Sequence, residues 1–188
     1  MINGLSDARH AGQALADVLT MQEVFGKLAG RRLVYVGDGN NVAMSLAIIT
    51  AQLQLPMTVC APEGYQLSSD FLAMLKKRLP TSDLTCESDP RTAVADASVI
   101  YTDVWTSMGQ ESEAEERRQA FAPYSMDGAL RASAPADCRF MHCLPARRGI
   151  EVTDDVVDGP QSIVFQQAEN RMHLAKGLLV WLIDRSSR

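Results

Sequence analysis

The sequence predicts an α/β domain with three layers, a Rossmann-like arrangement in which a mainly parallel sheet is flanked by helices. Three observations lead there. Short runs rich in Val, Ile and Tyr alternate with segments of helical period along most of the chain. The runs are apolar at consecutive positions, as expected of strands covered on both faces. Finally, 188 residues, 46% of them hydrophobic and 22% charged, suit a single domain with one sizeable core and leave no room for a second full domain. Residues 1–188 are therefore read as one unit.

The elements follow in order. Residues 10–28 place Ala14, Leu15, Val18, Leu19, Met21, Val24, Phe25 and Leu28 at helical spacings, and the same wheel assigns Asp17 and Glu23 to the opposite side. Arg32-Leu33-Val34-Tyr35-Val36-Gly37 reads as a buried strand, followed by a tight glycine turn and a helix over 41–53, the first half of a βαβ unit. The alternation continues with a strand at 57–60, a helix at 67–79, a strand at 84–86, a short helix at 90–95 and a strand at 98–102. After a polar segment at 106–119 come a helix at 126–133, a strand ending at Cys143, a last strand at 162–165 and a closing helix over 168–184.

Composition narrows the partners. The net charge is -5, and the arginines are scattered apart from Arg147-Arg148, so a nucleic-acid footprint is not expected. No apolar run approaches the length of a membrane span, and residues 1–5 lack the charged flank and apolar run of a secretory signal, so the expectation is a cytoplasmic protein. Cys60, Cys86, Cys138 and Cys143 form no C-x-x-C pair and read mostly as buried thiols of a reducing compartment. Glu169 and His173 have metal-ligand spacing but no third ligand in view, so no metal is expected.

Chemistry-bearing residues cluster where strands end, the place where open α/β sheets bind ligands. His142-Cys143-Leu144-Pro145 brings an imidazole and a thiol together, and its proline ends any regular continuation, freeing the Leu144 carbonyl; packing of a buried thiol is the alternative. Gly37-Asp38-Gly39-Asn40-Asn41 offers backbone amides and two asparagines suited to a carboxylate or amide ligand, unless these serve turn geometry alone. Only Glu63 follows the second strand as a ribose partner, so this is not a dinucleotide fingerprint. Asp103, in Thr102-Asp103-Val104-Trp105-Thr106-Ser107-Met108-Gly109, can receive an ammonium group, with Ser107 and Met108 against the rest of a small polar substrate; helix capping and gap filling are the alternatives. His10 and Gln13 share a helical face, a geometry for polarising a carbonyl and holding an amide, and Arg171 near the start of the final helix can reach an anion.

Taken together, these segments, with Asn3-Gly4-Leu5-Ser6-Asp7 and Ala168-Glu169-Asn170-Arg171, resemble in order and spacing the ornithine-binding half of ornithine carbamoyltransferases from residue 1 to about residue 184. The Ser-Met-Gly loop and the cysteine of His-Cys-Leu-Pro point, within that resemblance, to ornithine rather than aspartate as acceptor. The resemblance implies that Asn41, Asp103, Ser107 and Met108 hold L-ornithine. It implies equally that His10, Gln13, Cys143, Leu144 and Arg171 contact the carbamoyl group of carbamoyl phosphate or its leaving phosphate. Catalysis would rest on Cys143, Asp103 and His10, giving citrulline and phosphate with no metal or organic cofactor. Residues 1–30 and 166–185 correspond to the helices that cross between the two halves of such enzymes, and a homo-oligomer is expected.

The proton balance of that chemistry is modest. Passing a proton from an alkylammonium (pKa ~10.4) to an ordinary thiol (~8.5) is uphill by roughly 2.6 kcal/mol, tolerable for a catalytic step, so Cys143 is read as a proton acceptor or an orienting group. The chain also departs from the family. His10-Ala11-Gly12-Gln13 replaces the usual His-Pro-x-Gln, and the Ser-Thr-Arg-Thr loop with which the family's other half grips phosphate does not occur in residues 1–188. The expectation is an acceptor-binding domain, inactive without a carbamoyl-phosphate-binding half. The alternatives are a non-catalytic amino-acid-binding or assembly module from a truncated gene and, on Gly37-x-Gly39 alone, a nicotinamide-dependent oxidoreductase.

Overall fold

The computed structural model of the chain describes residues 3–7, 9–106 and 111–186. Its centre is a five-stranded, wholly parallel sheet in the order β3-β2-β1-β4-β5, with β1 Leu33–Val36, β2 Met57–Cys60, β3 Leu84–Glu87, β4 Val99–Thr102 and β5 Arg139–His142. Among the described residues eight α-helices accompany it: α1 Ala11–Phe25, α2 Asn41–Gln52, α3 Ser69–Arg78, α4 Pro90–Val94, α5 Ala114–Phe121, α6 Gly128–Ala132, α7 Asp154–Val157 and α8 Val164–Ser186.

Each central strand feeds two cores, because successive side chains leave opposite faces of a pleated sheet. Val34, Ile100 and Phe140 point to the side covered by Val94 of α4, Phe121 of α5, Leu130 of α6 and Val156 of α7. Leu33, Tyr35, Tyr101 and Met141 point to the other side, against Ala14 and Met21 of α1, Leu46 of α2 and Phe71 of α3. This two-sided burial explains the continuous apolar runs, and the three-layer α/β class read from them holds.

Two expectations need correction. Residues 162–165 do not form a strand: Ser162 makes one isolated bridge to Phe140, and α8 already begins at Val164. A four-residue apolar run fits a strand or a helix start equally well by pattern. The polar segment at 106–119 runs into α5, half of whose residues are charged and whose inward side chains are Arg117 and Phe121.

The strand order places the site. β1 is followed on one side by β2, while β4 returns to its other side, so the turns leaving β1 and β4 face one another across the point where the winding reverses. Thr102 Oγ1 donates to Val36 O at 2.7 Å and ties these two strand ends together. β5, next to β4, brings His142-Cys143-Leu144 to the same edge.

Candidate active site

The turn after β1 is shaped by close approach. Gly39 packs on the backbone of the 66–67 segment, where a Cβ would stand 2.6 Å from both Gln66 C and Leu67 N, so no larger residue fits without moving the chain. Asn40 then caps α2, its Oδ1 accepting from the amides of Val42 at 2.9 Å and Ala43 at 3.1 Å. That leaves Asn40 Nδ2 free to donate to Asp103 Oδ2 at 3.0 Å. Asn41, the asparagine singled out from sequence, instead donates to Ser6 O at 2.7 Å. The nearer partner of Asp103 is thus Asn40, and the N-cap geometry is the signal that could have found it.

Asp103 is buried and collects donors from three directions: Asn40, the Val104 amide at 2.7 Å and the Cys143 thiol at 2.9 Å on Oδ1. Burial and the neighbouring Asp103 carboxylate push the Cys143 thiol well above its ordinary range. The thiol is therefore protonated and donates, and in the resting site it is not a thiolate poised to take a proton. Ser107 and Met108 lie outside the described residues.

His142 lies beside this site with its ring buried and both nitrogens turned to protein neighbours. It is 1% exposed, its Nδ1 accepts from the Leu144 amide at 2.8 Å, and its Nε2 points to the buried Glu151 carboxylate at 3.4 Å. Glu151 in turn accepts from the Arg147 amide. The imidazole thus folds the turn in which Leu144 has φ +56 and the Leu144-Pro145 bond is cis. Among the described residues, no donor reaches the Leu144 carbonyl. Asp103, His142 and Cys143 bring one potential ligand atom each to within 4.8 Å of one another. A metal there would have to displace the thiol proton and compete with the Leu144 amide for Nδ1.

The α1 side carries His10, Gln13 and, across from them, Arg171 of α8. His10 stands at the start of α1, where its amide donates to Ser45 Oγ at 2.8 Å and anchors the helix start on α2. Its Nδ1 is buried without a partner. Burial first, then the Arg171 guanidinium, lower its pKa, with Asp103 pulling the other way, so the imidazole is neutral at neutral pH. Gly12 makes room for Arg171, since a Cβ there would stand 3.2 Å from both Nη atoms.

Gln13 leads to the largest surprise. Asp17, assigned from sequence to the solvent side, is fully buried, and its Oδ1 accepts from Gln13 Nε2 at 2.8 Å and Gln167 Nε2 at 2.7 Å. Gln167 Oε1 accepts from the His142 amide at 2.9 Å, so one carboxyl links α1, α8 and the end of β5. Burial raises Asp17 to about 7, against its amide donors. The Tyr101 hydroxyl lies beside both Asp17 and Cys143 without a well-formed hydrogen bond. In sequence the signal was the four-residue step from Gln13 to Asp17, which sets both on one face.

A second buried pair frames the opposite rim. Arg117 of α5 donates to Asp38 Oδ2 at 2.7 Å and Trp105 O at 3.1 Å, and its guanidinium lies 5.0 Å from the Tyr65 ring centroid. It joins the β1 turn to the segment leaving β4. Further along this rim a cavity of about 380 Å³ is lined by Trp105, Thr106, Arg118, Arg147 and Glu151.

Similarity to known proteins agrees with this arrangement. The family described as aspartate/ornithine carbamoyltransferase, Asp/Orn binding domain, matches residues 29–182. The ornithine carbamoyltransferase of Acidothermus cellulolyticus is 52% identical over 186 residues, spanning 98% of this chain and 60% of the relative. That of Bacillus subtilis is 50% identical over 181 residues, 95% of this chain and 57% of the relative. Among solved structures, the ornithine carbamoyltransferase from Pyrococcus furiosus superposes with a TM-score of 0.88 at 50% identity, over 94% of this chain and 57% of that one. The anabolic enzyme from Campylobacter jejuni gives 0.90 at 31% identity, over 98% and 62%. The chain thus spans about 60% of such relatives' length. With fold and sequence in agreement over nearly all of its residues, the chain belongs to the aspartate/ornithine carbamoyltransferase family, through that family's Asp/Orn-binding domain.

Proposed function

We propose that this chain is the acceptor-binding part of an ornithine carbamoyltransferase, which joins L-ornithine to the carbamoyl group of carbamoyl phosphate to give citrulline and phosphate. The observation that carries the reading is the buried Asp103 carboxylate, ringed by Asn40, the Val104 amide and the Cys143 thiol at the reversal point of the sheet. An anion so placed suits a cationic amine, and proteins named as ornithine carbamoyltransferases are about half identical to this chain.

In this reading Asn41, Asp103, Ser107 and Met108 hold ornithine, with Asp103 nearest its charged nitrogen. His10, Gln13, Cys143, Leu144 and Arg171 meet carbamoyl phosphate. The neutral His10 imidazole donates to the carbamoyl oxygen as negative charge grows there, and Arg171 faces the phosphate. The protonated Cys143 thiol orients the amine beside Asp103 and is not a nucleophile. Residues around α1 and α8 form the crossover to a carbamoyl-phosphate-binding half carrying Ser-Thr-Arg-Thr, without which the 188 residues transfer no carbamoyl group.

Titration with L-ornithine or its analogue L-norvaline, which lacks the side-chain amine, with and without a separately supplied complementary half and carbamoyl phosphate, tests this. Saturable binding that tightens in the presence of both is expected, together with loss of the ornithine preference in Asp103→Asn. Norvaline binding that equals ornithine binding in the wild type and ignores the complementary half would point instead to an amino-acid-binding module.

A further inference from the structure

We infer that Asp17 fixes the direction of the Gln13 side-chain amide, so that the site meets the carbamoyl group with an acceptor oxygen; this rests on the carbamoyltransferase reading above. A primary amide has a donor end and an acceptor end of nearly the same shape. Asp17 Oδ1 already accepts from Gln13 at 2.8 Å and from Gln167 at 2.7 Å, which commits both Nε2 groups to it. The two amide oxygens must then point away. That of Gln167 takes the His142 amide. Among the described residues, none donates to that of Gln13.

An outward Gln13 oxygen has a chemical consequence. The NH2 of a carbamoyl group only donates, so it pairs with this oxygen, while His10 serves the carbonyl. The methyl group of an acetyl phosphate would cover the same oxygen from water without giving it a donor, a penalty that separates two compounds of nearly equal size. Reversal of the amide would present a second donor and erase the distinction. Asp17 touches no substrate and acts through Gln13, which makes it a positioning residue. Burial favours the protonated carboxyl, whose proton then belongs on the otherwise unpartnered Oδ2, leaving Oδ1 an acceptor in either state.

The same logic designs the variants. Asp17→Asn keeps an acceptor oxygen beside the two glutamines, whereas Asp17→Leu keeps the volume and removes it. The first readout uses this chain without any partner: side-chain amide exchange of Gln13 followed by NMR. Slow exchange is expected in the wild type and Asp17→Asn, and rapid exchange in Asp17→Leu. Freely exchanging Gln13 protons in the wild type overturn the inference without recourse to any variant.

The second readout compares carbamoyl phosphate with acetyl phosphate in the presence of the complementary half. Wild type and Asp17→Asn should prefer carbamoyl phosphate by a similar factor. Asp17→Leu and Gln13→Leu should each lose roughly tenfold of that preference, with no further loss when combined. Preference lost in Asp17→Asn, or kept in Gln13→Leu, overturns the inference. Failure of the wild type to bind either phosphate overturns the carbamoyltransferase reading instead, while the Gln13 exchange still decides whether Asp17 holds the amide.

Discussion

At neutral pH the buried Asp17 carboxyl sits near its midpoint, raised to about 7 by burial, with Gln13, Gln167, Tyr101 and the more distant Arg171 drawing it back. Its folded pKa lies above the unfolded one, so the stability linked to its proton is whole below about pH 4. It is lost as the pH climbs through 7. Between those two pH values the wild type gives up about 4 kcal/mol, at about 1.36 kcal/mol for each pH unit. Denaturant titrations of Asp17→Asn should show the variant gaining on the wild type between pH 5 and pH 8; a difference that stays flat with pH contradicts a raised pKa. Cys143 makes a matching prediction. Its pKa is pushed up by burial and Asp103, so iodoacetamide at pH 7.5 should label the exposed Cys86 well before Cys143, as mass spectrometry of timed samples will show. At this scale the sequence named the candidate side chains that the proposed reaction would use, but not the ones behind them. Asp103, Cys143, His10 and Arg171 could be read because their types and their places at strand and helix ends carry chemistry. Asp17, Gln167 and Glu151 could not, because their role depends on burial, which a helical wheel assigned wrongly for Asp17.

Among the elements, the β1–α2 turn and α5 do most to shape the site. Gly39→Ala drives a methyl into the 66–67 backbone and should cost about 1–3 kcal/mol while weakening ligand binding through Asn40; thermal melts and ligand titrations report the two effects separately. Arg117→Met leaves the partly buried Asp38 without its cation and should cost about 3–5 kcal/mol in chemical denaturation, far more than an exposed ion pair such as Arg148 with Asp154. Gly12→Ala works the other way. It favours helix α1 by less than about 1 kcal/mol but crowds Arg171, so a slightly higher melting temperature with weaker phosphate binding is expected. The strands were legible because β1, β2 and β4 are buried on both faces. The end of the chain was not: Ser162-Ile163-Val164-Phe165 has strand composition, yet the chain turns there into a 23-residue helix held by Thr20 and Glu23 of α1 through Asn170. That pairing is non-local and leaves no mark in a short window.

The whole molecule shows what the proposed other half would cover. Leu15 on α1 and Phe165, Leu179, Val180, Trp181 and Ile183 on α8 are exposed apolar side chains, whereas Leu19 and Leu178 are partly buried. Exposed apolar side chains grouped on two packed helices favour cover by a partner, and the proposed function supplies one in the complementary half. Sedimentation of the 188 residues should show self-association that the complementary half reduces. The central claim, that these residues supply the acceptor side of a carbamoyl transfer, is tested most directly by citrulline formation from ornithine and carbamoyl phosphate when this chain is mixed with that half. Citrulline is expected from the mixture, none from either part separately, and none when the chain carries Asp103→Ala. A stable complex of the two parts that forms no citrulline, or one whose citrulline survives Asp103→Ala, contradicts the claim.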